Sequence, residues 1–246
     1  MIEHFLITGD THGRVEERIQ YINSELYPPE TTAIVILGDV VLNFYLNKTD
    51  KFNKRKLQEK GYTIYCLRGN HEERPENLPS IEPCYDDRIQ GWVMFEREYP
   101  NIRYLRDGIE YKFFEWSVLT IGGAYSIDKD YRLSKRHSDG WCGWFEDEQL
   151  YDWERAEITD RINGNHYNLV LTHTCPISFE PTDLFLSFID QSTVDKTMEN
   201  WLEELKTKII WDKWLFGHYH ADRQIGPDVQ MFYKGIIDLE DIMKGE

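Results

Sequence analysis

Cysteine is scarce, with four in 246 residues at Cys66, Cys84, Cys142 and Cys175, and none spaced C-x-x-C. Disulfide frameworks and zinc knuckles need paired cysteines, so neither is expected, and the four read as reduced core or loop thiols. Positive charge is also short: 44 acidic residues face 28 Lys and Arg, a formal net charge of −16. Duplex binding relies on Lys and Arg displacing counterions, so this balance argues against nucleic acid as a partner while leaving room for a local basic pocket. No apolar run is long enough to span a bilayer. The opening "MIEHFLITGD" carries Glu3 and runs straight into a motif, so it does not read as an export signal, and the cytoplasm is the expected location. Repeats, low-complexity tracts and linkers are missing too. With 41% apolar residues the chain can bury a sizeable core, and one domain over residues 1–246 is expected. Oligomeric state is left open.

What is present is a recurring pattern of short apolar runs that end in polar residues. "HFLITGD", "TTAIVILGD", "GYTIYCLRGNHE", "YNLVLTH" and "KWLFGHYH" each read as a buried strand followed by a turn. Helical segments are expected between them. "GRVEERIQYINSEL" places Val15, Ile19, Ile22 and Leu26 near helical spacing, residues 45–60 have weak helical character, and "EDEQLYDWERAEITDRI" begins with the acidic residues that a helix dipole favours. "STVDKTMENWLEEL" suggests a helix with a Ser/Thr cap. The middle of the chain alternates as antiparallel hairpins do, "RQIGPDVQMFYKG" reads as a terminal hairpin, and residues 124–145 read mainly as loop. Strands alternating with helices point to an α/β fold with parallel connections.

Potential metal ligands stand at all five strand ends: Asp10 with His12, Asp39, Asn70 with His71, His173, and His218 with His220. In α/β sheets ligands gather beyond the carboxyl ends of strands, so these residues are expected to converge. Mixed imidazole, carboxylate and amide donors point to Mn, Fe, Zn or Co. Asp10, His12, Asp39, Asn70, His173, His218 and His220 exceed what one ion needs. They suit two divalent or trivalent ions, which in such pairs lie about 3.5–4 Å apart.

The motifs "GDTHG", "GDVV", "RGNHE", "THTCP" and "GHYH", in that order from Gly9 to His220, resemble those of calcineurin-like metallophosphoesterases. The resemblance implies a four-layer α/β/β/α sandwich with two central mixed sheets. It also implies hydrolysis of a phosphate ester, monoester or diester, by water activated at two metals. Asp10, His12 and His220 would hold one metal, Asn70, His173 and His218 the other, with Asp39 shared, and His71 would be the catalytic histidine beside the phosphate. "LRGNHE" is similar to the Ser/Thr protein phosphatase branch. In that branch, however, an aspartate stands where this chain has Leu42 and a phosphate-binding arginine where it has Asn43. The expected substrate is therefore a small phosphorylated molecule or nucleotide, with a protein phosphatase or an inert scaffold as alternatives. Lys129, Arg132 and Arg74 are the candidate substrate-binding cations, with Lys135, Arg136 and His137 nearby. Tyr125, Tyr131, Trp141 and Trp144 are candidate pocket walls.

Overall fold

The computed structural model describes residues 1–139 and 143–245, and only the backbone of 136–139. Trp141 and Cys142, and the side chains of Arg136 and His137, lie outside that description. In chain order the strands are β1 (His4–Thr8), β2 (Thr32–Ile36), β3 (Thr63–Cys66), β4 (Ile81–Asp86), β5 (Gly91–Glu96), β6 (Ile102–Tyr104) and β7 (Ile109–Phe113). They continue as β8 (Trp116–Ile121), β9 (His166–Thr172), β10 (Ile210–Phe216), β11 (Arg223–Gly226), β12 (Val229–Met231) and β13 (Ile236–Asp238). The helices are α1 (Val15–Ile19), α2 (Lys48–Gln58), α3 (Lys129–Asp139), α4 (Asp152–Ile162), α5 (Thr197–Lys208) and α6 (Leu239–Lys244).

The strands form two mixed sheets, ordered β13-β1-β2-β3-β6-β5-β4 and β11-β12-β10-β9-β8-β7. In the first, β1, β2, β3 and β6 run parallel, and in the second β8, β9, β10 and β12 do. Side chains alternate between faces, and β2 shows the consequence. Ala33, Val35 and Leu37 join an apolar cluster with Leu169, Leu171 and Leu215 of the second sheet. Ile34 and Ile36 pack instead with Val15 and Ile19 of α1 and Leu57 of α2. On the far side of the second sheet, Val170, Trp214 and Phe216 meet Ile158 and Ile162 of α4 and Met198, Leu202 and Leu205 of α5. Three apolar interfaces therefore separate helices, sheet, sheet and helices. Each such buried side chain stabilises by about 1.5–3 kcal/mol. No helix among the described residues is long and apolar enough to cross a membrane.

Three local expectations need correction. The first helix ends at Ile19 instead of continuing to Leu26, whose side chain is 57% exposed. Asn23 supplies the reason: its side chain accepts from the Glu25 amide, a turn that competes with helix. Residues 124–145 are not mainly loop, because they contain α3, which starts from the Ser126 carbonyl bonded to the Lys129 amide. An Asp128–Arg132 pair at 2.7 Å and i,i+4 spacing supports its first turn. The α5 start uses Asp195, whose Oδ1 accepts from the Thr197 amide at 2.9 Å, while Ser192 and Thr193 sit in a separate short turn.

Candidate metal centre

The residues after β1, β2, β3, β9 and β10 meet at one place. The backbone turns there are tight: the amides of Thr11 and His12 donate to the Asp39 carbonyl, and the Gly217 amide donates to the His173 carbonyl. His12, Asp39, His218 and His220 hold φ of 46°, 49°, 68° and 53°. Left-handed backbone at a non-glycine residue costs about 1–3 kcal/mol and persists only where the surroundings enforce it. Two glycines make the approach possible. A Cβ at Gly38 (φ +100°) would overlap the His173 imidazole, and one at Gly69 would overlap the Asp39 carboxylate and amide.

The side chains form overlapping sets. Asp10, His12 and His220 place one ligand atom each within 4.8 Å of the others, as do His12, Asp39 and His71, and Asp10, Asp39 and His173. The Nε2 atoms of His12 and His220 are 2.8 Å apart, and Asp10 Oδ2 lies 3.3 Å from His220 Nε2. Asn70 Oδ1 is 3.0 Å from His173 Nε2, and Asp39 Oδ1 is 3.6 Å from the same nitrogen. His173 is oriented by its Nδ1, 2.8 Å from the Leu37 carbonyl. His218 lies alongside, its ring 5.0 Å from that of His173 and its amide donating to Asp10 Oδ1. His71 faces Asp39, with Nε2 at 3.5 Å from Oδ2 and its own amide on Oδ1 at 2.9 Å.

Electrostatics follow from this crowding. Burial pushes the Asp39 carboxyl well above the usual range, and Asp10 pushes it further. Burial also works against charge on Asp10, but His220, His173 and His218 outweigh it and lower its pKa to about 2. Burial lowers His71 to about 2, with Arg132 contributing next, and lowers His218 to about 3 and His12 to about 4. His173 is lowered for the same reason, whereas the Asp10 carboxylate raises His220. Neutral imidazoles with free lone pairs are the form that binds metal. Asp10 Oδ2 is fully buried, and its near polar neighbours are His220 Nε2 at 3.3 Å and His12 Nε2 at 3.9 Å. A buried carboxylate oxygen whose neighbours are imidazoles, beside a second carboxyl whose ionisation burial disfavours, suits uptake of divalent cations. The donor set fits the metals that its residue types suggest.

A cleft of about 790 Å³ opens over this cluster and includes His12, Asp39, Asn70, His71, His218 and His220 in its lining. Of the three cations singled out from sequence, only Arg132 lines it. Its guanidinium bonds Asp128 and the Gly143 carbonyl and lies 5.9 Å from the Phe44 ring centre. Lys129 does not reach the cleft; its Nζ sits over the Trp144 ring at 4.5 Å. Arg74 is buried and committed to Glu154 at 2.7 Å and to the Asp147 and Gln149 carbonyls, so it is withdrawn as a substrate contact. Tyr125 lines the cleft; Tyr131 and Trp144 do not. Leu42 and Asn43 are buried and do not line the cleft, with the Asn43 carbonyl accepting from the Glu73 amide.

Two residues near the site escaped the sequence reading. Asn70 Nδ2 donates to Ser126 Oγ at 2.9 Å, and Ser126 Oγ donates to Glu148 Oε2 at 2.5 Å. Since Ser126 spends its proton on Glu148, it must accept from Asn70, which leaves the amide oxygen facing His173. Leu184, Phe185, Leu186, Ile189 and Val194, from the segment before α5, supply much of the apolar lining.

The fold and these motifs can be set beside known proteins. None of the curated proteins compared with the chain gave a significant match. Among solved structures, one matches over 98% of this chain and 96% of its own, with a TM-score of 0.51 and 14% identity, a likeness of fold alone. The calcineurin-like phosphoesterase family matches residues 3–222, which include every residue of the centre described above. The chain belongs to that family.

Proposed function

We propose that the protein hydrolyses a phosphate ester of a small molecule at a centre of two transition-metal ions. Asp10, His12 and His220 would hold one ion and Asn70, His173 and His218 the other, with Asp39 within reach of both sets. The observation that carries this reading is the convergence of His12 and His220 on the buried Asp10 carboxylate, beside the second carboxyl, Asp39. Bound ions would supply Lewis-acid polarisation of the phosphoryl oxygen and a lowered pKa for water. The chain's own residues do the rest. His71 lines the cleft within 3.5 Å of Asp39 and is neutral at pH 7, so it offers one N–H to the phosphate and one site to carry a proton. As water's oxygen bonds to phosphorus and the ester P–O bond breaks, water gives up a proton and the alcohol oxygen takes one. Neutral His71, accepting at one ring nitrogen and releasing from the other, is the group placed to carry it. Arg132 provides fixed positive charge for the phosphate. A protein-phosphatase reading has less behind it, since Leu42 and Asn43 are buried away from the cleft.

The test is turnover of p-nitrophenyl phosphate and its bis-ester after reconstitution with Mn²⁺, Fe²⁺, Zn²⁺ or Co²⁺. At least one metal should give activity that a chelator abolishes; silence with all four on both esters would overturn the proposal and favour an inert scaffold. In the active form, Arg132→Ala should raise KM by about tenfold, the size of one charge-assisted hydrogen bond of about 1.5 kcal/mol. Lys129→Ala should leave KM unchanged.

A further inference from the structure

The cleft is larger than a phosphate requires, and its additional wall is apolar. Pockets of about 300–1,000 Å³ hold whole drug-sized ligands, and this one measures about 790 Å³. Phe185, Leu186, Ile189 and Val194 line it from one segment, and Phe44 and Tyr125 from two others. That segment is tied to the metal-binding turn. The Phe185 ring stacks on Tyr219 at 6.2 Å and 18°, and Tyr219, which stands between His218 and His220, donates to Glu180. Lys196 closes the same network on Glu180 at 2.6 Å. The apolar wall and the imidazoles therefore belong to one continuous surface.

Charge narrows what the wall can receive. Among the described side chains, the Lys and Arg lining the cleft are Arg132 and Lys196, and each already contacts a carboxylate, Asp128 at 2.7 Å and Glu180 at 2.6 Å. A second phosphate would find no unpaired cation among them, on a chain of net charge −16. Leu186, 48% exposed, instead presents hydrocarbon to water at the cleft, and covering it releases that water.

We infer that the substrate is a phosphoester whose alcohol part is uncharged and largely apolar, seated on the wall formed by Phe185, Leu186, Ile189 and Val194. This rests on the phosphoester reading above. The probe is a series of methyl-, propyl- and pentylphosphonate, whose C–P bonds resist hydrolysis, with phosphonoacetate as the charged member. Binding to the metal-reconstituted protein is measured by calorimetry. Affinity should rise roughly twofold to fourfold per methylene, the upper value corresponding to about 0.8 kcal/mol for each buried CH₂. Phosphonoacetate should bind more weakly than propylphosphonate. Leu186→Asp should flatten the series, while Phe188→Asp, on a residue 77% exposed and outside the cleft, should leave it intact.

Equal affinities for methyl- and pentylphosphonate, tighter binding of phosphonoacetate or of a phosphoseryl peptide, or an unchanged series in Leu186→Asp would overturn the inference. In each of those cases ester turnover survives, and with it the two-metal phosphoesterase reading, though a preferred phosphoseryl peptide would move the substrate from a small molecule to a protein. Failure of every phosphonate to bind, together with no ester turnover, would instead remove the reading beneath it.

Discussion

Asp39→Asn is expected to lower kcat/KM by about 10³-fold or more, equivalent to about 4 kcal/mol of transition-state stabilisation, and to leave the protein with at most one metal. The substitution keeps the shape of the side chain and an oxygen to accept the His71 amide, so only the charge is removed. Its oxygens face histidines from both proposed ligand sets: they lie 3.5 Å from His71, 3.6 Å from His173 and 3.9 Å from His12. The same variant should be more stable than the parent when both are metal-free at pH 8. Asp39 has a folded pKa raised above its unfolded value, so the stability it contributes is present below about pH 4 and is lost as pH rises through the folded pKa. Asparagine loses nothing over that range. The variant's melting temperature should therefore exceed the parent's at pH 8, with the gap closing near pH 4. A gap independent of pH would show that ionisation of Asp39 is not the cost, and retention of two metals with parental turnover would sink its role at the centre. A residue that destabilises the empty protein and is indispensable to the loaded one is the trade-off expected at a binding site.

The second large effect is expected from adding one methyl group at Gly38. Gly38 and Gly164 both have positive φ, +100° and +80°, so alanine at either position pays for left-handed backbone, about 1–2 kcal/mol. Beyond that the sites differ. Nothing lies within 4 Å of a Cβ at Gly164, whereas at Gly38 the methyl would occupy the place of the His173 imidazole. His173 cannot yield cheaply, because it is fully buried and its Nδ1 is bonded to the Leu37 carbonyl. Gly38→Ala should therefore cost at least about 2 kcal/mol more than Gly164→Ala in urea unfolding and should lose metal, while Gly164→Ala binds metal as the parent does. Equal costs at the two positions would mean that the collision with His173 is relieved by movement.

Much of the centre could be read from sequence because it stands at the ends of strands that are buried on both faces. Such strands appear as unbroken runs, as in Ala33 to Leu37 or Leu169 to Leu171, and the residue at which the run stops is visible. Contacts between distant segments leave no such mark. Arg132, Lys129 and Arg74 looked alike as cations. They differ because Trp144 lies under one, Glu154 holds another, and only the third reaches the cleft. Ser126 and Glu148 orient Asn70 from 56 and 78 positions away, with no local pattern to announce them. The helix α3 was hidden for a different reason. Lys129, Asp130, Arg132 and Lys135 crowd its first two turns with charge, so it shows little of the apolar stripe by which helices are recognised.

The central claim is that these side chains form a two-metal centre, and metal content tests it most directly. Protein reconstituted with Mn²⁺ at pH 8, desalted and analysed for metal should carry close to two ions per chain. The same procedure at pH 5 should give fewer, because binding needs an ionised Asp39 and burial raises the pKa of that carboxyl. A content of zero at pH 8 would contradict the account.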